Sequence, residues 1–451
     1  MPSDPSGNDL DRLAALIADT KARGADAADA VLVRSTALSH SLRLGEIEKL
    51  ERQESQDLGL RAIIGRKQAI VSSTDLGDAA LAELAERAVA MARAVPDDPY
   101  CGLADPDQLA TDVPDLDLVD AAEPSPESLV AQARACEEAA LAVDGVTNSD
   151  GASAGYSLSR IALAASNGFA GAYARSDHGI GVSVIAGEGV AMESDYDYTS
   201  KVHAADLDDP ATVGRRAGER TVARLGARKM RTAQVPVVFD PRVSNGLIRH
   251  LVGAISGPAI ARGTSFLKDA LGKPVFGKGI VVVDDPHRRR GLRSKPFDGE
   301  GIANGRRNLI EDGVLTTWLL DLASARQLGM TTTGHAARGT SGPPSPSPTN
   351  LWLEPGDLSP AELMADIRSG FYVTSLMGHG INGVTGDYSR GASGFWIEDG
   401  KIAFPVSEMT VAGNLRDMFR AMAPADDLEF RYGTDSPTVR IDGLTVAGGG
   451  E

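Results

Sequence analysis

The seven histidines, His40, His178, His203, His250, His287, His335 and His379, come first for chemistry, because neutral imidazole serves as metal ligand and general base. None is followed by glutamate, so the H-E-x-x-H pattern, which sets two ligands and a base on one helix face, is absent. Cys101 and Cys136 form no C-x-x-C pair, which argues against a thiolate zinc site and a disulfide framework. G-x-S-x-G occurs at Gly151–Gly155, with Ser153 as would-be nucleophile. A polar stretch precedes it and a strand-like run follows, whereas a nucleophile elbow needs a strand and then a helix, so a glycine-rich turn is expected there.

Two glycine patterns suggest phosphate binding and fail on context. GKPVFGKG (272–279) has Gly279 where a P-loop carries its magnesium-binding hydroxyl. Gly378, Gly380 and Gly383 satisfy G-x-G-x-x-G, but VTGDYSRGASG after them cannot open the helix that would hold a pyrophosphate. HRRRGLRSK (287–295) is the one strongly basic run and is expected to be a solvated turn, although it could meet an acidic partner surface. Asp298 and Glu300 are spaced as a carboxylate pair, but the flanking glycines point to turn chemistry.

The elements that must position these residues can be drafted from periodicity. A helix is expected over 8–23, strands over 30–34, 58–65 and 68–72, and an alanine-rich helix over 76–94. Residues 95–117, with four prolines, form a connector. Ser125 is an N-cap with Pro126 at the first helical position, so a helix should run to about Val143; Ser128 stands where a capping box wants Glu or Gln. Strands at 157–165 and 179–185, a helix at 210–225 and a buried strand at 235–239 follow. The segment GTSGPPSPSP (339–348) is expected to be an exposed loop or a plain surface linker. The fold class is α+β: a mixed helix and antiparallel-sheet N-terminal region (1–100), a central domain with connector (101–230) and a sheet-rich C-terminal domain (231–451).

Composition bounds the function. At 451 residues, 42% hydrophobic and 24% charged, the chain can bury large cores. A formal charge of -17, from 62 acidic and 45 basic residues, disfavours nucleic acid and anionic membranes as partners. The N-terminus reads as an amphipathic helix rather than a signal peptide, and no run approaches the roughly 18 apolar residues of a membrane span, so a cytoplasmic location is expected.

Nearly the whole chain carries a more specific pattern. LERQESQDLGLRAIIG (50–65), KPFDGEG (295–301), LIEDGVLTTWLLD (309–321), PTNLWLEPGDLS (348–359) and the long run MGHGINGVTGDYSRGASGFWIEDGKIAFPVSEMTVAGNLRDMF (377–419) resemble the PmbA/TldE branch of the TldD/PmbA metallopeptidase family. The resemblance implies cytosolic heterodimers of a TldD-like and a TldE-like subunit that cleave unfolded or flexible peptides. It implies that the metal, zinc, is held by the TldD-type partner through H-E-x-x-x-H and a C-terminal cysteine. Here the matching helix is SNGLIRHLVGAISG (244–257), and Arg249-His250-Leu251-Val252-Gly253-Ala254 takes the place of that motif. A guanidinium stays protonated and an alanine has no lone pair, and 428–448 contains no cysteine, so no metal, catalytic residue or cofactor is expected in this chain.

The implied role is a pseudo-enzyme subunit that pairs with a TldD-like catalytic subunit, helps enclose its chamber and binds peptide backbone along a strand edge. Two rivals remain open: an autonomous homodimeric hydrolase using His379, Asp387 and Arg390, which could equally be substrate or interface contacts, and a peptide-binding module without catalysis.

Overall fold

The computed structural model describes residues 5–449. The N-terminal part is built on one antiparallel sheet with strand order β3-β2-β1-β4-β5-β6. Its members are β1 (Ala27–Arg43), β2 (Glu46–Ile64), β3 (Lys67–Ser73), β4 (Val146–Ala165), β5 (Ala170–Ala186) and β6 (Glu193–Lys201). Helices α1 (Pro5–Ala22), α2 (Asp78–Ala94), α3 (Pro126–Leu141) and α4 (Pro210–Ala223) cover one face. Alternation decides which face: Ala28, Ala30, Leu32, Leu38 and Leu42 of β1 point to the helices, while Val31 points the other way, towards Phe169 and Phe297. The expected boundary near residue 100 falls in the connector, and pairing of β1 with β4 joins the segments on either side into one sheet.

Most local signals correspond to elements, with longer strands than periodicity suggests. Ser125 caps α3 through the Ser128 amide at 3.2 Å, without the reciprocal bond. β2 runs for 19 residues, and its first ten are all exposed, so that half is held by its ladder to β1 rather than by burial. Such a polar strand has no apolar period to detect. The turn expected at Gly151–Gly155 is instead the interior of β4, beside a register shift between Ser149 and Gly151; the glycines mark an irregular strand, not a chain reversal. Helices α3 and α4 pack closely because Gly214 lies against the Cys136 carbonyl, leaving no room for a Cβ.

The C-terminal part begins with β7 (Arg231–Phe239) and α5 (Pro241–Ile255). A small sheet follows, made of β8 (Val282–Asp285), β9 (Arg307–Glu311) and β10 (Val314–Leu315), with the short pair β11 (Ala336–Ala337) and β12 (Ser345–Pro346), then β13 (Asn350–Leu353). The second six-stranded sheet contains β14 (Ser369–Met377), β15 (Asp387–Glu398), β16 (Lys401–Asn414) and β17 (Met422–Pro424); β18 (Thr434–Asp435) pairs with β13, and β19 (Val439–Gly449) ends the chain. The order β16-β15-β14-β7-β19, with β19 also pairing β16, closes a barrel and leaves β17 on β19. The α+β class and the sheet-rich C-terminal domain are therefore observed.

The segment expected to be an exposed linker at 339–348 is docked between the two parts. Thr340 bonds Asp57 and lies on Gly59, where a Cβ would clash, and the side chain of the preceding Arg338 is buried on Asp29 beside Arg61. Its Pro and Ser content fits the scarcity of regular structure, which is limited to the two residues of β12, but not the buried anchors on either side. Part of the basic run 287–295 is paired within the chain: Arg289 and Arg290 pair with Asp117, Arg290 also with Asp206, and Arg288 lies 3.5 Å over the Phe430 ring. Asp298 does turn chemistry, accepting amides of Glu300, Ile302 and Ala336, but both carboxylates are buried at this junction.

Candidate functional site

Helix α5 is strongly amphipathic. Asp240 caps it by accepting the Arg242 amide at 2.9 Å, and Pro241 occupies the first turn. Leu247, Ile248, Leu251, Ala254 and Ile255 enter the barrel core, while Arg242, Asn245, Gly246, Arg249 and His250 face a cleft of about 600 Å³. The far wall is the end of β14, from Thr374 to Met377, continued by Gly378, His379 and Ile381; Arg390 of β15 also lines it. From the N-terminal part, Ser194, Asp195 and Tyr196 of β6 and Arg224 after α4 close the third side.

The expected site residues therefore divide. Arg249, His250, His379 and Arg390 meet in one cleft. Ala254 does not: it is 5% exposed in the barrel core, one turn beyond His250 and rotated inward. Asp387 braces the loop instead, accepting from Thr385 Oγ1 at 2.6 Å and Asn414 Nδ2 at 3.1 Å. The loop itself explains the G-x-G-x-x-G pattern. Gly378 has φ of 79° and Gly386 87°, and Gly380 presses on the Ser389 carbonyl, so the glycines serve a tight turn and not a phosphate. GKPVFGKG at 272–279 is likewise loop without a following helix.

Electrostatics distinguish the cleft from the rest of this acidic chain. Four arginines line it against one carboxylate, Asp195. Arg242 grips Asp195 through two bonds of 2.9 and 3.2 Å, and Arg224 lies 3.6 Å from Asp195 and 3.1 Å from Glu193. Burial raises the Asp195 pKa, but Arg242 outweighs it and holds the carboxyl below its usual value. His250 is pushed down to about 4, by burial first and then by the charge of Arg390, so at neutral pH it is an uncharged imidazole. Its ring stands edge-on to Tyr388 of β15.

The cleft contains an open strand edge. β14 pairs in parallel with β7 only over Phe371–Val373, because β7 ends where Asp240 begins the turn into α5, the Asp240 amide donating to the Val373 carbonyl at 3.0 Å. On its other side β14 stays paired with β15 as far as Met377. Thr374–Met377 thus has a strand neighbour on one side and the cleft on the other, where Arg242 at 3.5 Å and Arg390 at 3.3 Å donate to the Thr374 and Leu376 carbonyls.

Asp195, Arg242, Arg224 and Tyr196 are the residues that sequence reasoning missed. A signal existed in two places. In ESDYDYTSK (193–201) the acids Asp195 and Asp197 point inward and the tyrosines outward, the reverse of normal patterning. On α4 and just beyond it, Arg216, Arg220 and Arg224 recur every fourth residue, a rise of about 6 Å per step that matches two residues of strand. The ladders meet as Arg216–Asp197 at 2.7 Å, Arg220–Asp197 at 2.9 Å and Arg224–Asp195.

Among the described residues no group of three or more His, Cys, Asp or Glu side chains could hold a metal ion. At the helix expected to carry a degenerate metal motif, Arg249 and His250 face the cleft and Ala254 is turned away, so His250 is the one side chain of the three with a lone pair to offer a metal.

A helix-covered antiparallel sheet joined to a closed barrel that packs against one face of α5 defines a two-part α+β architecture, and comparison with known proteins specifies it. Residues 28–92 match the PmbA/TldA metallopeptidase domain 1, 120–225 its central domain and 232–448 its C-terminal domain. The chain is 39% identical to Metalloprotease PmbA of Escherichia coli O157:H7 over 94% of its own length and 92% of that protein's. It is 36% identical to the Metalloprotease PmbA homolog of Haemophilus influenzae, over 93% and 92%. Among solved structures it resembles a candidate modulator of DNA gyrase from Bacteroides thetaiotaomicron, with a TM-score of 0.91, 28% identity and coverage of 99% and 100%. TldE of Thermococcus kodakarensis superposes at a TM-score of 0.87 with 21% identity, over 97% and 100%, a likeness of fold. The chain belongs to the PmbA/TldD metallopeptidase family.

Proposed function

We propose that this chain is the non-metal-binding partner subunit of a TldD/TldE-type heterodimeric metallopeptidase, acting in the cytoplasm on unfolded or flexible peptides. The observation that carries this is the division of α5: Arg249 and His250 face the cleft and Ala254 faces the barrel core. The helix thus offers one neutral imidazole, no second ligand and no carboxylate base, while the rest of the scaffold is kept. A zinc ion and the hydrolytic step belong, on this reading, to the TldD-like subunit. No nucleic acid, membrane or cofactor of its own is required.

The open edge of β14 supports a role in substrate handling, because an extended peptide can add to such an edge through main-chain hydrogen bonds that ignore its sequence. Among the described residues no helix is long and apolar enough to cross a membrane. The test is reconstitution: adding the purified chain to a purified TldD homologue should raise cleavage of a flexible peptide well above that of either protein alone. An unchanged rate would overturn the proposal, and hydrolysis by the chain alone would favour an autonomous homodimeric hydrolase.

A further inference from the structure

Two of the four cleft arginines are spoken for and two are not. Arg242 and Arg224 are neutralised by Asp195 and Glu193. Neither Arg249 nor Arg390 makes an ion pair among the described residues. Arg390 donates once, at 3.3 Å, to the Leu376 carbonyl, and its Nε is buried without a hydrogen-bond partner. Arg249 projects from α5 beside His250 into the same cleft, and the His250 ring feels the Arg390 charge.

Arg390 carries a buried Nε without a partner, Arg249 lines the same cleft, and positive charge gathered in one concave site favours a bound anion. In a chain of formal charge -17 this concentration of positive charge is a local exception. Geometry selects the anion. Arg390 donates to the Leu376 carbonyl, on the strand segment whose edge faces the cleft that Arg249 also lines, so the anion should belong to a peptide lying there. The planar guanidinium fork matches a carboxylate through two parallel bonds.

We propose that Arg249 and Arg390 form a carboxylate-recognition subsite that anchors a peptide by its free C-terminus or by an acidic side chain. This rests on the peptide-handling role proposed above. The subsite makes an otherwise sequence-independent strand addition selective for where the negative charge lies, and so sets the register in which a peptide enters the cleft.

The experiment uses fluorescence anisotropy with N-terminally labelled short peptides of Gly, Ala and Ser, on the full chain alone and together with a TldD-like subunit. One pair of peptides differs only in a C-terminal carboxylate or amide. A second pair, both amidated, differs only in an interior Glu or Gln. The carboxylate member of at least one pair should bind about ten-fold tighter, since charge-assisted bidentate bonds are roughly twice as strong as neutral ones. Which pair responds identifies the source of the carboxylate, and the preference should shrink as salt is raised. In the Arg249→Gln/Arg390→Gln double variant the preference should vanish while the amide and Gln peptides bind as before, and Arg390→Lys should retain part of it.

Equal affinities within both pairs on the unaltered chain would overturn the subsite and leave the peptide-handling role standing, and this comparison needs no variant to fold. A preference that survives in the double variant would overturn the assignment to these arginines. Failure of every peptide to bind, with or without the TldD-like subunit, would overturn the peptide-handling role and the subsite with it.

Discussion

His250 of α5 stands edge-on to Tyr388 of β15, ring centroids 6.0 Å apart and planes at 69°. Tyr388 is 2% exposed, so the contact buries one flank of an imidazole whose other side meets the cleft. With Arg390 two residues further along β15, the ring sits where a positive charge is doubly unwelcome, in low dielectric and near a guanidinium.

The consequence for pH has a definite sign. The unfolded chain takes a proton on this histidine near 6.5, while the folded chain resists until about 4. Protons therefore favour the unfolded state, and this contribution to stability is full above 6.5 and lost as pH falls from there towards 4. Chemical-shift titration of the imidazole should give a midpoint well below the ordinary histidine value of 6.5, and Arg390→Gln should raise it. Unfolding of His250→Gln measured across the same range should show a shallower acid-side decline than the parent; an unchanged slope would contradict the assignment.

Rebuilding a metal helix should be harder than restoring three letters. Arg249→His and His250→Glu place their side chains in the cleft, but Ala254→His drives an imidazole into the barrel core. Overpacking of that kind costs about 1–3 kcal/mol. Elemental analysis of the unaltered chain, purified without a metal-binding tag, should return near-zero zinc, iron and manganese per polypeptide. The triple variant should be measurably less stable in urea than the double Arg249→His/His250→Glu. Stoichiometric metal in the unaltered chain would overturn the non-metal-binding proposal.

How much of this was legible in the sequence depends on whether burial or chemistry carries each element. The helices at 78–94, 126–141 and 210–223 announce themselves through apolar periodicity, the second also through its Ser125 cap, and their observed ends lie within a few residues of those expected. The outer halves of β1 and β2 do not, because ten successive exposed residues of β2 are specified by pairing with β1, and strand pairing leaves no local mark. At the site, Arg249, His250, His379 and Arg390 were nominated from separate segments and converge in one cleft. The Asp195–Arg242 pair was not nominated, since the partners lie 47 residues apart and only the assembled interface brings them together. Asp387 looks like a site residue by composition, yet it is consumed by its own loop.

Glu300 supplies the opposite pH signature to His250. It is buried where the N-terminal sheet meets the C-terminal part, accepts the Leu322 amide at 2.9 Å and is pushed up to about 8, chiefly by burial and then by Asp298. The folded state thus holds a proton that the unfolded state releases near 4.5. This contribution is full below 4.5 and lost as pH rises towards 8. Glu300→Gln keeps an acceptor for Leu322 and removes the titration, so its stability relative to the parent should grow steadily from mildly acidic to mildly alkaline pH. Parallel curves would show that the carboxyl is already ionised in the fold.

The free edge of β14 makes a prediction that needs no substitution. Residues just before it are locked: Phe371–Val373 lie between β7 and β15, and their amides should exchange with deuterium only through large openings of the barrel. Thr374–Met377 have a ladder on one side only, beside a register shift between Val373 and Ser375, so their exchange should be faster by several orders of magnitude in the isolated chain. If a peptide adds to this edge within the heterodimer, protection should rise at 374–377 and leave 371–373 unchanged. Protection confined to Tyr196 and the 378–386 loop would mean instead that the peptide crosses the cleft without joining the sheet.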